Sequence, residues 1–260
     1  MLKFAANLSM MFNEVPFLER FAAAAQAGFR AVEFLFPYEF TADDIAERLQ
    51  KHGLTQALFN VPPGDWAKGE RGLTLLPGRE SEFATGVEQA IEYAKVLKCD
   101  QIHIMAGIAP AGVQRNVMME VYVTNLSFAA HRLAAENIRA LIEPINYYDI
   151  PGYFLNTQAE ARAVIDKVGS DNLFLQQDLY HCQIMEGNLA KLITEYRDIA
   201  RHYQIAGVPG RHEPDVGEIN HPYLFDLIDQ LGYTGYIGCE YRPRGDTREG
   251  LGWAAKYGIS

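Results

Sequence analysis

The chain has 260 residues, 48% of them hydrophobic and 22% charged, with a formal net charge of −10. The length suits one α/β barrel domain over residues 1–260, and the composition is that of a globular protein rather than a disordered or low-complexity one. The negative charge speaks against a general nucleic-acid binder, whose affinity rests on clustered Lys and Arg, but leaves room for a small anionic substrate in a locally basic pocket.

No run of 18 apolar residues occurs, so no membrane-spanning helix is expected. The opening MLKFAANLSMMFNEVPF has one lysine and an apolar run broken by Asn7 and Ser9, without a cleavage pattern. Cys99, Cys182 and Cys239 match neither a zinc motif nor a disulfide framework, so a reducing, cytoplasmic setting is expected and Cys182 reads as structural. The expected partner is a small molecule, with no nucleic acid and no membrane, and a homo-oligomer is compatible with all of this.

In chain order, short apolar runs alternate with segments of helical spacing. The strands are expected at Phe4 to Leu8, Ala31 to Leu35, Thr55 to Val61, Gln101 to Ala106, Ile138 to Glu143, Leu173 to Asp178, His202 to Ala206, and Tyr236 to Glu240. The helices are expected at Pro16 to Ala27, Thr41 to His52, Arg79 to Leu97, Asn116 to Ala135, Thr157 to Val168, Asn188 to Ala200, Pro222 to Leu231, and Thr247 to Tyr257. Gly28, Gly53 and Gly232 fall just past helix ends, and Thr41 with Asp44 reads as an N-cap. Eight βα units of about 32 residues each predict a single (β/α)8 TIM barrel, and no GxGxxG follows the first strand to favour an open doubly wound sheet. The connections Pro62 to Gly78 and Ile145 to Asn156 are long and are expected to cover the active site.

Strand ends converge on one face of a barrel, so their final residues matter most. Strands five to eight end in or near Glu143, Asp178, Gln204 and Glu240. Three carboxylates brought together in a low-dielectric mouth repel unless a cation neutralises them, and an all-oxygen set favours Mg2+ or Mn2+ over zinc. His181 follows Asp178 closely enough to reach the same site. Arg211, in a Gly/Pro-rich loop, either binds a substrate carboxylate or pairs with Glu213. Arg71, between Gly69 and Gly72, suits a lid, Trp66 and Phe59 suit apolar walls, and His103 and Asn7 are further candidates. Strand alternation turns Gln177 and Cys239 toward the helices if Asp178 and Glu240 face inward.

The stretches FAANLSMMFNEVPF, VEFLFPYEF, LFNVPPGDW, KGERGL, LPGRE, IHIMAG, LIEPINYYDIPGYFL, QQDLYHCQ, QIAGVPGRHEP, GEIN and GCEYRPRG span nearly the whole chain. Through them the sequence resembles the hydroxypyruvate isomerase family, within the xylose-isomerase-like barrels. The resemblance implies interconversion of hydroxypyruvate and 2-hydroxy-3-oxopropanoate through a cis-enediolate. It also implies Glu143 and Glu240 as the acid/base pair and Glu143, Asp178, Gln204 and Glu240 as metal ligands. From their positions in the chain, His181 and Arg211 are expected to bind the substrate, with Arg71 as a lid contact and His103 as a further substrate-binding candidate. The sequence departs from the wider sugar-epimerase pattern at Gln204, where a His ligand is common. A sister group acts on 2-oxo-tetronate, one carbon longer, and the loop EPINYYDIPGYF looks nearer the hydroxypyruvate branch.

Overall fold

A computed structural model describes residues Leu2–Ser260. Eight parallel strands close in sequence order: β1 (Lys3–Asn7), β2 (Ala31–Glu33), β3 (Thr55–Asn60), β4 (Gln101–His103), β5 (Arg139–Ile142), β6 (Leu173–Asp178), β7 (Ala200–Ile205) and β8 (Tyr236–Cys239). The ring seals where Phe4 of β1 lies in register with Ile237 of β8. Strands β5 and β8 end one residue sooner than expected, so Glu143 and Glu240 stand one residue beyond them.

The outer layer comprises α1 (Phe17–Gln26), α2 (Ala42–His52), α3 (Glu80–Leu97), α4 (Arg115–Ala134), α5 (Gln158–Val168), α6 (Leu179–Met185), α7 (Leu189–Tyr196) and α8 (His221–Gln230). Helix α2 shows how local chemistry sets these limits. The Thr41 hydroxyl accepts from the Asp44 amide, Ile45 and Leu49 bury one face, and Gly53 closes the helix in the left-handed region at φ 63°. A reciprocal capping box between Thr157 and Glu160 starts α5 in the same way.

Two expectations need correction. The single helix anticipated from Asn188 to Ala200 is only α7, and the unanticipated α6 springs straight from β6, with the Asp178 carboxylate accepting from the Tyr180 amide at 2.8 Å. The last segment is a 3-10 turn run, Glu249–Tyr257, rather than an α-helix.

The barrel interior is small and polar where many barrels carry bulky aliphatic layers. Ala5, Ala31 and Ala57 cluster with Tyr236 at one level. Beyond them the Glu33 carboxylate accepts hydrogen bonds from Asn7 Nδ2 at 3.0 Å, Gln204 Nε2 at 2.8 Å and His202 Nε2 at 2.7 Å. Gly238 makes room for this carboxylate, since a Cβ there would overlap both of its oxygens.

A second buried histidine gives the fold an acid-sensitive point. His221 starts α8, its Nδ1 donates to the Pro214 carbonyl at 2.7 Å, and burial pushes its pKa down to about 4 although that hydrogen bond opposes the shift. The unfolded chain therefore binds a proton near pH 6.5 that the folded chain refuses until about pH 4. Stability is full above pH 6.5 and falls as pH drops through this window, by about 3 kcal/mol for the single site. Denaturant melts of the protein and of His221→Gln at pH 7 and pH 4 should show wild type losing that much more; equal losses would remove the assignment.

Candidate active site

The C-terminal ends of the strands open into a cavity of about 500 Å3, lined among others by Trp66, Arg71, His103, Glu143, Gln176, His181, Arg211, Glu240 and Arg242. At its floor one ligand-type atom each from Glu143, Asp178, His181 and Glu240 lies within 4.8 Å of the others, all four residues buried. Among the described residues these form a cluster that could hold a metal ion. Glu143 Oε1 and Asp178 Oδ2 have no hydrogen-bond partner, an expensive state for buried oxygens unless something positively charged comes between them.

Electrostatics follow from that geometry. Burial holds the Glu143 carboxyl well above the usual carboxylate range, and repulsion from Glu240 and Asp178 adds to it. Burial lifts Asp178 to about 6, against the pull of Arg211 and the Tyr180 amide. Glu240 is lifted to about 8 by burial, partly offset by Arg211. His103 is pushed down to about 3 by burial and by His202, and burial with Arg211 nearby keeps His181 well below its ordinary value. One guanidinium cannot balance this many acids.

Arg211 is that guanidinium. Its backbone adopts φ 54°, and its side chain donates to Glu240 Oε2 at 2.6 Å and to Asp149 Oδ2 at 3.2 Å, with Asp178 Oδ2 at 3.6 Å. The alternative pairing with Glu213 does not occur, because Glu213 faces Arg244 at 3.4 Å. Arg71 lies at the rim with its guanidinium 3.7 Å from the Trp66 ring centre, and donates to the carbonyls of Trp66 and Glu70. The second half of its loop is anchored: the Thr74 hydroxyl donates to Met105 O, and the Leu75 amide to Ala106 O.

His103 lies in the cavity wall, its Nδ1 3.6 Å from Glu143 Oε2. Gln204 faces the interior, but its amide is engaged, donating to Glu33 and accepting from Gln176 Nε2 at 2.6 Å. Asn7 bridges Glu33 and Glu240 from behind, at 3.0 and 3.3 Å. Phe59, expected as a cavity wall, packs instead against Phe34 and Tyr38 on the helix side, and Asn60 lines the cavity. The cause is a register shift between β2 and β3 at Val32/Glu33, which reverses the alternation of faces. Cys182 is buried in the core, and burial raises its thiol well above the ordinary range.

Sequence reasoning overlooked Glu33, Asn146, Asp149, Gln176 and Arg242. Gln176 had a readable signal, two residues before Asp178 on the same strand face. Arg242, two residues past Glu240, had a similar one. Glu33 had one as well, an acid inside the apolar run Ala31 to Leu35, whereas Asn146 and Asp149 had none.

Fold and site together define an α/β-barrel with a buried, carboxylate-rich centre at the C-terminal mouth. The chain belongs to the xylose isomerase-like TIM barrel family, whose model matches residues 21–257. It is 59% identical to a 2-oxo-tetronate isomerase of Cupriavidus necator, over 98% of both chains. It is 48% identical to the hydroxypyruvate isomerase of Escherichia coli, covering 99% of this chain and 100% of that one. A solved structure named as an AP endonuclease, family 2, from Brucella melitensis superposes with a TM-score of 0.97 at 53% identity, covering 99% of both chains. The names of the first two relatives support an isomerase function. Among the described residues no helix is long and apolar enough to cross a membrane.

Proposed function

We propose that the protein isomerises short 2-oxo acids by moving a proton between adjacent carbons, with Glu143 and Glu240 as the acid/base pair. The supporting observation is the buried cluster of Glu143, Asp178, His181 and Glu240, with two of its oxygens unpartnered. The higher identity is to the relative named for 2-oxo-tetronate, so that acid ranks ahead of hydroxypyruvate, reversing the order suggested by the loop EPINYYDIPGYF.

In either substrate C3 gives its proton to one carboxylate, C2 receives a proton from the other, and the C3 hydroxyl proton passes to the C2 oxygen through a cis-enediolate. The base of one direction is the acid of the reverse, so Glu143 and Glu240 exchange roles. His181 and His103 face the substrate oxygens. Arg211 compensates the acids from one side, while Arg71, stacked on Trp66, and Arg242 give the mouth a cationic rim for the substrate carboxylate. The free cysteines suit a reducing compartment such as the cytoplasm.

A hard divalent cation, Mg2+ or Mn2+, fits the donor set because three of the four clustered residues are carboxylates. Glu143, Asp178 and Glu240 would hold it, joined by Gln204 if its oxygen leaves Gln176. When bound, the ion supplies positive charge against the developing enediolate. Chelation should lower the melting temperature, and Mn2+ at about 100 times its dissociation constant should restore about 2.7 kcal/mol. An unchanged melting curve would strike the ion from the site.

The name carried by the Brucella melitensis relative makes a DNA-directed hydrolase the second reading. A zinc centre for that chemistry draws on several His ligands, whereas the cluster offers one, and the chain carries a charge of −10. Side-by-side assays of 2-oxo-tetronate, hydroxypyruvate and abasic-site DNA test the proposal. Turnover of an oxo acid with exchange of its C–H proton into solvent is expected. DNA cleavage without such exchange would overturn the proposal.

A further inference from the structure

We propose that Asn146 fixes His181 as the Nε2–H tautomer, making it a hydrogen-bond donor to the substrate and keeping it out of the metal ligand set. The catalytic half of this statement rests on the isomerase reading, whereas the tautomer does not.

The argument starts in the loop after β5. Asn146 Oδ1 accepts from the backbone amides of Tyr148 at 3.0 Å and Asp149 at 2.9 Å, closing an Asx turn. Only an oxygen can fill that place, because an amide nitrogen there would meet two N–H groups. The Nδ2 group must therefore point the other way, and it does, lying 2.7 Å from His181 Nδ1. The Asn146 backbone N–H approaches the same nitrogen at 3.4 Å. Both groups only donate, so His181 Nδ1 presents its lone pair and the proton of the neutral ring sits on Nε2. A doubly protonated ring would set Nδ1–H against the Asn146 amide hydrogens.

Nε2 points into the acidic cluster. It lies 3.6 Å from Asp178 Oδ2 and 4.0 Å from Glu143 Oε1, the two acceptors without partners. Arg211 Nη2, at 3.5 Å, is at the outer limit of a hydrogen bond to Nε2, against 2.7 Å for the contact at Nδ1. The short contact at Nδ1 therefore decides the tautomer.

A metal-binding imidazole needs the opposite arrangement, a lone pair toward the ion and an acceptor behind its N–H. His181 has a donor behind it. Its geometric membership of the cluster thus does not make it a ligand. Its Nε2–H is instead a fixed dipole beside the carboxylates, aimed where a substrate oxygen gains negative charge. The proton stays on nitrogen throughout, so this role adds no transfer step. Asn146 is a positioning residue that acts through His181.

Asn146→Asp tests this with little change of shape. One carboxylate oxygen keeps the Asx turn, and the other replaces Nδ2 with an acceptor that demands Nδ1–H. Nitrogen NMR of His-labelled protein, with His181 assigned by loss of its signals in His181→Gln, reads both tautomers in the resting enzyme. Wild type should show protonated Nε2 and bare Nδ1, and Asn146→Asp should show the reverse. The variant should also lose about 10²-fold in kcat with little change in KM. It should bind Mn2+ about tenfold tighter, a gain that His181→Gln in the same background removes. Protonated Nδ1 in wild type, or an unchanged tautomer in the variant, overturns the proposal. A tautomer that inverts in an enzyme inactive on both oxo acids would leave the Asn146 assignment standing and sink the isomerase reading.

Discussion

Glu143→Gln and Glu240→Gln should each lower kcat by about 10³-fold, the range that removal of a positioned acid or base costs. Gln keeps the volume and a lone pair but cannot shuttle a proton, so the C–H proton of the substrate should cease to exchange with solvent in both variants. Folding should not suffer. Burial and mutual repulsion make ionisation of Glu143 and Glu240 costly, so in chelator at pH 8 both variants should melt at or above the wild-type temperature. A kcat within about tenfold of wild type would remove that residue from proton transfer, and a collapsed melting curve would show its main role to be structural.

Glu33→Ala should produce the largest loss of stability. Glu33 is 1% exposed and takes hydrogen bonds from three interior side chains, Asn7, Gln204 and His202. Removing it strands those donors and leaves a void against Gly238, costing about 3–5 kcal/mol. In a chain of this length that is about 6–20 °C of melting temperature. Asn7 and Gln204 connect Glu33 to Glu240 and Gln176, so a surviving Glu33→Ala protein should also turn over more slowly. Glu33→Gln keeps the volume and one acceptor and should fall between the two. A Glu33→Ala protein as stable as wild type would show that water replaces the carboxylate without cost.

The legible parts of the site were those written in one short stretch. Glu143 in LIEP and Glu240 in GCEY declare themselves because a carboxylate after a buried apolar run is costly without a partner. Thr41 with Gly53 bracketed α2 by capping chemistry that needs no tertiary contact. Helix α6 was invisible because it has seven residues and no linker before it, so no separate periodic signal could form. Phe59 was placed on the wrong side because a register shift is a property of paired strands, not of one strand. The contacts of Arg211 with Asp149 and Glu240 were not anticipated, because those residues come from distant parts of the chain.

By itself the sequence determined the eightfold βα rhythm, the helix limits set by caps and glycines, and the acids carried to the strand ends, since each is local chemistry within about one βα unit. Only the tertiary structure decided which atoms meet. It placed Glu33 at the centre of the barrel, turned Arg211 onto Glu240, tied Gln204 to Gln176, and set Asn146 behind His181. Those contacts join residues from about 30 to 170 positions apart, and hydrogen-bond direction becomes a constraint only when barrel closure brings both partners within reach.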